Sequence, residues 1–369
     1  MAKPTIGIVT SRTGKRFSEQ LYLRRLVREG QELGMNIFLF APRDVSLKRR
    51  IVNGYVPLAT RGWKRQIFPW PDLVIDRYRY YPLPEHNAYL SFRKKPLFPY
   101  TSSRFSNKWN VYQVLSQDEQ MQAYLPESVA YTHDQMEQML ASYPMLYIKP
   151  TNGTGGRSIL QVEQKEDGFL LKGRDRDRNI ALAFLDTLEE LYAWVDGWVN
   201  EQRRGSEGFF IQQGLYLELL PEQRVDLRVL IQKDHKGDWD ITGMAARVGR
   251  TDSSTSNLHG GGKAMEAVAV LAKYFGPVKA DRILADCRRL AYRAVYKVEQ
   301  HYGQMMEFGI DVGVDIEGNV WLIEMNPKPG REIFRQLGQM KRYQLAIRRP
   351  LLYALYLLQL NKAEKDLLG

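Results

Sequence analysis

The stretch Lys149-Pro150-Thr151-Asn152-Gly153-Thr154-Gly155-Gly156-Arg157-Ser158 lies between two strand-like segments, Leu146 to Lys149 and Ser158 to Glu163. Glycines at this density let successive backbone N–H groups converge on an anion and let the loop deform around it. The lysine precedes the glycines, and a strand rather than a helix follows them. The stretch is therefore neither a Walker phosphate loop nor a dinucleotide-binding fingerprint. The same residues also read as a tight glycine-rich hairpin with a solvated lysine.

Toward the C-terminus a second group of residues carries chemistry. Glu324 and Asn326 stand two apart in a strand, so they share a face. The strand Val320 to Ile323 can pair with Ile310 to Val314 across the Gly318-Asn319 turn, which would bring Asp311 beside Glu324. Two carboxylates and an amide oxygen suit Mg2+, a hard cation that takes oxygen ligands and shares substrate phosphates. A polar strand face is the plainer reading. Asp315 is assigned to the turn. Upstream, Asp226-Leu227-Arg228 and Arg247 fall on neighbouring expected strands. Both arginines can hold phosphoryl oxygens through two N–H groups, or lie on the surface. Ser256-Asn257-Leu258-His259-Gly260-Gly261-Gly262 has three glycines in a row after polar residues, a backbone able to come close to a ligand or a flexible loop.

The rest of the chain supplies the frame. Ile6 to Val9, a helix from Glu19 to Leu33 stopped by Gly34, Asn36 to Phe40, and Leu73 to Asp76 form an alternating pattern that predicts a parallel sheet. Tyr78 to Tyr100, rich in Tyr and Pro, reads as a structured loop or domain edge. Beyond Arg104 come a helix at Trp109 to Leu115 and strands at Phe169 to Lys172 and Phe209 to Gln213. A long helix, Leu185 to Gln202, separates those two strands. Strands at Val225 to Gln232 and Asp240 to Val248 follow, then helices across about 264–302 and a leucine-rich helix at Leu351 to Leu360. The expected organisation is an N-terminal α/β unit at 1–104, a second unit at 105–345 with a lid at about 125–208, and a C-terminal helix at 346–369.

Composition narrows the function classes. The 369 residues are 44% hydrophobic and 26% charged, which excludes wholesale disorder. One cysteine, Cys287, excludes a disulfide framework and a Cys-rich zinc module. Cys287 sits in an amphipathic helix and reads as core. No apolar run reaches the roughly 18–20 residues of a membrane span, and no signal peptide is visible, so a cytoplasmic protein is expected. Lys and Arg number 53 against 42 Asp and Glu, a net charge of +11. That excess suits an anionic polymer or a phosphate-bearing substrate. No nucleic-acid module is recognisable, so nucleic acid is not an expected partner.

Taken in order, several elements resemble the ATP-grasp superfamily over residues from about 104 to 340. They are Lys108 ahead of a helix, Lys149 with its glycine loop, the hinge Ile211-Gln212-Gln213-Gly214-Leu215, Asp226-Leu227-Arg228, the Asn257 loop, and the Asp311, Glu324 and Asn326 set. The chain is most similar to the YheC/YheD branch, associated with endospore formation. The Ser256 to Gly262 stretch is similar to a loop of the glutamate ligases that modify ribosomal proteins. Those ligases place an arginine where this chain has Thr255. The resemblance implies an ATP-grasp fold of the α/β (α+β) class behind a parallel α/β domain.

The resemblance also implies roles. Lys108 and Lys149 would contact the ATP phosphates beneath a mobile loop of Gly153, Thr154, Gly155, Gly156 and Arg157. Gln212, Gln213 and Leu215 would line the adenine slot, the last two through backbone groups. Glu218 or Glu222 would take the ribose hydroxyls. Arg228, Arg247 and Asn257 would hold the γ-phosphoryl and an acyl phosphate. Asp311, Glu324 and Asn326 would bind two Mg2+. The implied activity is ATP-dependent ligation of a small-molecule or peptide carboxylate to an amine. A kinase on a hydroxyl, a spore-associated structural protein without turnover, and a polyanion-binding protein are the rival readings. Arg12, Lys15 and Arg16, after the first strand, are where selection of an acidic substrate is expected.

Overall fold

The computed structural model describes residues 3–14, 16–79, 84–105, 107–152, 156–220, 223–249 and 262–368. In the N-terminal part, β1 (Thr5–Val9) leads through a short hairpin, β2 (Arg12–Thr13) and β3 (Arg16–Phe17), into α1 (Gln20–Glu32). Leu23, Leu26 and Val27 of α1 are buried, and Gly34 ends the turn after it at φ 81°. Then come β4 (Asn36–Phe40), β5 (Val45–Ser46), β6 (Ile51–Pro57), β7 (Trp63–Pro69), β8 (Leu73–Asp76) and α2 (Pro84–Lys94). The three strands read from the sequence form the parallel centre, with β1 between β4 and β8. The sheet as a whole is mixed, because β6 meets β4, β5 and β7 antiparallel. Hydrophobic alternation with helices does not anticipate that hairpin, and the Tyr78–Tyr100 region expected as loop contains α2.

The second sheet belongs to α3 (Lys108–Ser116), α4 (Glu119–Gln122), β9 (Ser128–Ala130), α5 (His133–Ser142), β10 (Met145–Pro150), β11 (Ile159–Lys165), β12 (Gly168–Arg174), β13 (Ile180–Leu185), α6 (Leu188–Gln202) and β14 (Phe209–Gln213). Its antiparallel order is β13-β12-β11-β10-β14-β9. One face packs on α5 and α6 in a core drawn from residues between Val129 and Ile211. The helix expected from Leu185 begins at Leu188, capped by Thr187 and Glu190 in a reciprocal box. Leu185 instead ends β13, a strand at Ile180–Leu185 that the sequence reading did not anticipate.

The third sheet is built from β15 (Val225–Lys233), β16 (Trp239–Val248) and β17 (Lys263–Met265), followed by α7 (Ala267–Phe275) and α8 (Pro277–Tyr302), then β18 (Glu307–Val314) and β19 (Val320–Asn326). Its order is β17-β16-β15-β18-β19. Leu227, Val229, Ile231, Ile310 and Val312 pack on α7 and α8, where Cys287 is also buried. The opposite face is covered in part by α9 (Glu332–Gln336) and α10 (Met340–Leu368).

Helix α10 is longer than the expected 346–369 and runs through Pro350. A proline there cannot donate to the carbonyl four residues back, at Ala346. That carbonyl accepts instead from Gln232 Nε2 at 3.0 Å and Arg331 Nε at 2.8 Å. The broken rung is thus satisfied by side chains from the neighbouring sheet. It ties α10 to β15 while Tyr343, Ala346, Ile347, Leu351, Ala354 and Leu357 share a core with β1, α1 and β4.

Candidate functional site

Two faces oppose each other to make the site, and strand periodicity sets both. On β10, Leu146 and Ile148 enter the core that the second sheet shares with α5 and α6, so Tyr147 and Lys149 take the other face. Gln161 on β11 and Gln212 on β14 share it, both in register with Tyr147. Lys149 Nζ donates to Gln212 Oε1 at 2.5 Å, and Gln212 Nε2 in turn donates to Ser128 Oγ at 2.9 Å. No carboxylate pairs with Lys149 among the described residues. Burial first, and then the neighbouring Lys108, pull its ammonium down to about 7, against a partial lift from Glu324. A lysine in that state accepts a proton readily when an anion arrives.

The third sheet supplies the facing surface. Register places Asp226 opposite Arg247, Arg228 opposite Asp311, and Asp311 opposite Glu324. Arg247 grips Asp226 with Nε at 2.5 Å and Nη2 at 2.6 Å, and reaches Asp311 Oδ2 at 3.0 Å. Arg228 Nε donates to Asp311 Oδ1 at 2.6 Å. Burial alone would raise the Asp311 carboxyl, but the Arg228 and Arg247 guanidinium groups outweigh it and hold it below the usual range. Burial would lower Arg247, yet Asp226 and Asp311 hold it above its ordinary value. Arg247 is buried and committed to carboxylates, whereas Arg228 keeps partial exposure. Gly309 makes room beside it, since a Cβ there would stand 2.8 Å from Pro329 Cβ and 3.3 Å from Arg228 Nη1.

Lys108 closes the gap between the faces. It opens α3, whose cap Asn107 accepts from the Asn110 N–H at 2.9 Å, and its Nζ lies 3.1 Å from Glu324 Oε2. Beside it a cavity of about 310 Å3 is lined by Asn107, Thr151, Asn152, Arg204, Glu207 and Gly208, among others. At the far end of the glycine loop, Gly156 has φ 71° and leads through Arg157 to Ser158, buried at φ 54° with Oγ 3.1 Å from Gln202 Oε1. Gly153, Thr154 and Gly155 lie outside the described residues, as do Glu222 and the whole Ser256–Gly261 stretch with Asn257 and His259.

The hinge differs in detail from expectation. The Gln212 side chain braces Lys149 rather than pointing at a base. The Gln213 N–H donates to the Glu127 carbonyl at 2.8 Å, so that group is not available to adenine. Leu215 is buried, and no backbone hydrogen bond engages it among the described residues. Glu218 Oε1 accepts from Arg224 Nε at 2.8 Å.

Arg224 was missed in the sequence. It reaches the Tyr147 hydroxyl and Gln161 Oε1, so it joins the second sheet to the hinge. Its partners lie 77 and 63 residues away in the chain, so no local pattern signals it.

A metal's fit follows from the donors. Among the described residues no group of three or more His, Cys, Asp or Glu is placed to hold a metal ion, so these residues alone do not cage one. Asp311 and Glu324 do offer adjacent carboxylates, with Asn326 on the Glu324 face. That hard oxygen set suits Mg2+ whose remaining ligands are phosphate and water. In the N-terminal part, a cavity of about 300 Å3 is lined by Ser11, Arg12, Thr13, Arg16, Arg43 and Tyr78, among others. Arg12 is already paired with Asp44 at 2.6 Å, and Lys15 lies outside the described residues.

The model of the YheC/D-like ATP-grasp family matches residues 97–357, and the chain belongs to that family. It is 28% identical over 96% of its length to the endospore coat-associated protein YheD of Bacillus subtilis (strain 168), covering 79% of that protein. It is 22% identical over 88% of its length to the endospore coat-associated protein YheC of the same organism, covering 89% of it. The D-alanine-D-alanine ligase from Coxiella burnetii superposes with a TM-score of 0.55 over 100% of both chains at 9% identity, a likeness of fold.

Proposed function

We propose that this member of the YheC/D-like ATP-grasp family is an ATP- and Mg2+-dependent ligase that joins a carboxylate to an amine through an acyl phosphate. The observation that carries the reading is the pairing of Asp311 with Glu324 across from Lys149, a lysine without a carboxylate partner among the described residues. Two carboxylates facing two lysines suit a metal-bound polyphosphate better than a static brace.

Each side chain then has a task. Lys149 and Lys108 bind phosphate oxygens, and Lys108 leaves Glu324 to do so. Arg228 stays beside Asp311 and neutralises charge on the transferring phosphoryl group. Arg247, through Asp226 and Asp311, fixes the Asp311 carboxylate in place. Leu215 offers backbone groups to the base, and Glu218 a carboxylate to the ribose. Asp311, Glu324 and Asn326 would hold Mg2+, which supplies charge neutralisation between the phosphates. The substrate carboxylate oxygen attacks the γ-phosphorus, the bond to the bridging oxygen breaks, and ADP leaves. The amine then attacks the acyl carbon and loses a proton as phosphate departs. Positioning and charge neutralisation carry the first step, so no protein nucleophile is required.

We assign substrate selection to residues 1–104, nucleotide handling to 105–345, and closure to a lid at about 125–208. The substrates would be small-molecule or peptide acids and amines. The setting we favour is the cytoplasm of a sporulating cell or the spore itself, and the two relatives' names support the association with the spore.

Hydroxylamine tests the chemistry, because it traps an acyl phosphate as a hydroxamate without the natural amine. With ATP, Mg2+ and pooled carboxylic acids, a hydroxamate should appear by mass spectrometry together with equal ADP and phosphate. A phosphorylated alcohol with no phosphate release would make the protein a kinase and end the ligase reading.

A further inference from the structure

The face of the second sheet that bears Lys149 does not stop at the cleft. Register carries one row from Tyr147 through Gln161 and Lys172 to Leu182. The outermost strand, β13, is an edge among the described residues. Its Ala181, Ala183 and Leu185 pack toward the lid core, so Ile180, Leu182 and Phe184 share the face of Lys149. They are 76%, 66% and 51% exposed. Alternating large apolar side chains on an unpaired strand edge make a template for strand addition.

Charge indicates the occupant. Strands β12 and β13 contain no carboxylate. Lys172 and Arg174 lie on the same face, and neither makes an ion pair among the described residues. The Arg174 Nε is buried without a hydrogen-bond partner among them. The turn that leads into β13 carries Arg176 and Arg178 with Asp175 and Asp177, and Asp175 is engaged by the backbone N–H groups of Asp177 and Asn179, so with Lys172 and Arg174 four cations stand against two carboxylates. A second copy of this chain, at +11, would bring like charge to that edge.

We propose that β13 docks an extended acidic polypeptide with alternating apolar side chains, and that this polypeptide is a substrate of the ligase. The substrate role rests on the ligase reading; the docking does not. Strands lie about 4.8 Å apart, so a strand added outside β13 stands roughly 19 Å from the β10 strand that carries Lys149. About six extended residues span that gap. The docked segment is therefore a recognition element, and the ligated group lies some residues away along the same polypeptide.

The test uses the full chain and a labelled 12-residue peptide of alternating valine and glutamate, with a valine–lysine peptide as control. Fluorescence anisotropy reports peptide binding, and calorimetry reports Mg-ATP binding on the same samples. The expected result is binding of the acidic peptide alone, weakening with added salt. Leu182→Asp should reduce that affinity by at least about tenfold, and Leu182→Thr by less, with Mg-ATP affinity unchanged in both. Equal peptide affinity in Leu182→Asp, equal binding of both peptides, or no binding would overturn the docking. So would a wild-type dimer in sedimentation that Leu182→Asp makes monomeric, since the edge would then be covered by a second copy. If peptide binds through β13 while ATP does not bind at all, the ligase reading fails and the docking stands. If ATP binds and peptide does not, the docking fails alone.

Discussion

Lys149 holds the most sensitive position in the molecule. Its ammonium ordinarily titrates near 10.5, and burial brings it to about 7. Between those values the unfolded chain keeps a proton that the folded chain has released. Stability from this group therefore rises with pH across the window and is lost as pH falls toward 7. Nucleotide phosphate reverses the balance by favouring the charged form. ATP binding at pH 8 should therefore take up a proton, visible in calorimetry as a heat that varies with the buffer's ionisation enthalpy; a buffer-independent heat would contradict it. Lys149→Ala should weaken ATP by about tenfold or more, since a charge-assisted hydrogen bond contributes roughly 1.5–3 kcal/mol. At Glu324 the expected effect is on turnover. Glu324→Gln keeps the volume and removes the charge we assign to Mg2+ binding, so ADP release should cease while the melting curve stays close to wild type. Normal ADP release from Glu324→Gln would rule it out as a metal ligand.

The elements that place these residues depend on close backbone approaches. After β14 the Gly214 N–H donates to the Met145 carbonyl at 2.7 Å, and a Cβ on Gly214 would stand 2.5 Å from that same oxygen. Gly214→Ala must push the hinge off the second sheet. An overpacking cost of about 1–3 kcal/mol is expected in denaturant unfolding, with weakened ATP binding because Leu215 moves with it. Unchanged stability would mean that the hinge yields freely. Elements were legible where periodicity was clean. Phe209 to Gln213 and Asn36 to Phe40 coincide with β14 and β4. Strand β13 was not legible, since its apolar residues occupy both faces and run directly into the α6 cap. The β6–β7 hairpin escaped because Lys64, Arg65 and Gln66 are exposed and break the apolar pattern.

At the scale of the whole molecule, a buried charge network joins the N-terminal sheet to the third. Arg77, fully buried after β8, contacts Glu19 at 2.9 Å and Glu307 at 3.1 Å. Arg331 pairs with the same Glu307, and both arginines donate to the Pro329 carbonyl. Burial alone would raise Glu19, but Arg77 and Arg79 hold it below its ordinary range. Its stabilising contribution is complete above the usual carboxylate range and is lost as pH falls through the depressed value. Arg77→Met would leave Glu307 short of a partner inside the protein, and a loss of about 3–5 kcal/mol in urea unfolding is expected. A change below 1 kcal/mol would show that Arg331 alone suffices. The network also anchors the segment just after Asn326, so the strand that bears Glu324 and the N-terminal part are held together. The second sheet has its own core with α5 and α6, apart from that network, and it carries the lid we propose. Hydrogen exchange at Thr151, Asn152 and 156–160 should slow when ATP binds.

The sequence by itself determined the order of the chemistry. The placement of Lys149, Arg228, Asp311 and Glu324 was legible because strand periodicity puts alternate residues on one face, and because the Gly318-Asn319 turn pairs Asp311 with Glu324 locally. Tertiary structure decided what those groups do to one another. Arg247 became a clamp on two carboxylates, Gln212 a brace for Lys149, and Arg224 a link between sheets, since each partner lies many residues away and no local pattern encodes it. The same holds for the Ala346 carbonyl, freed by Pro350 in the sequence but captured by Gln232 and Arg331 only once α10 lies against the third sheet. Local spacing fixes which face a side chain takes. The partner that meets it there is set by packing between elements, and with it the charge, burial and proton affinity on which function depends.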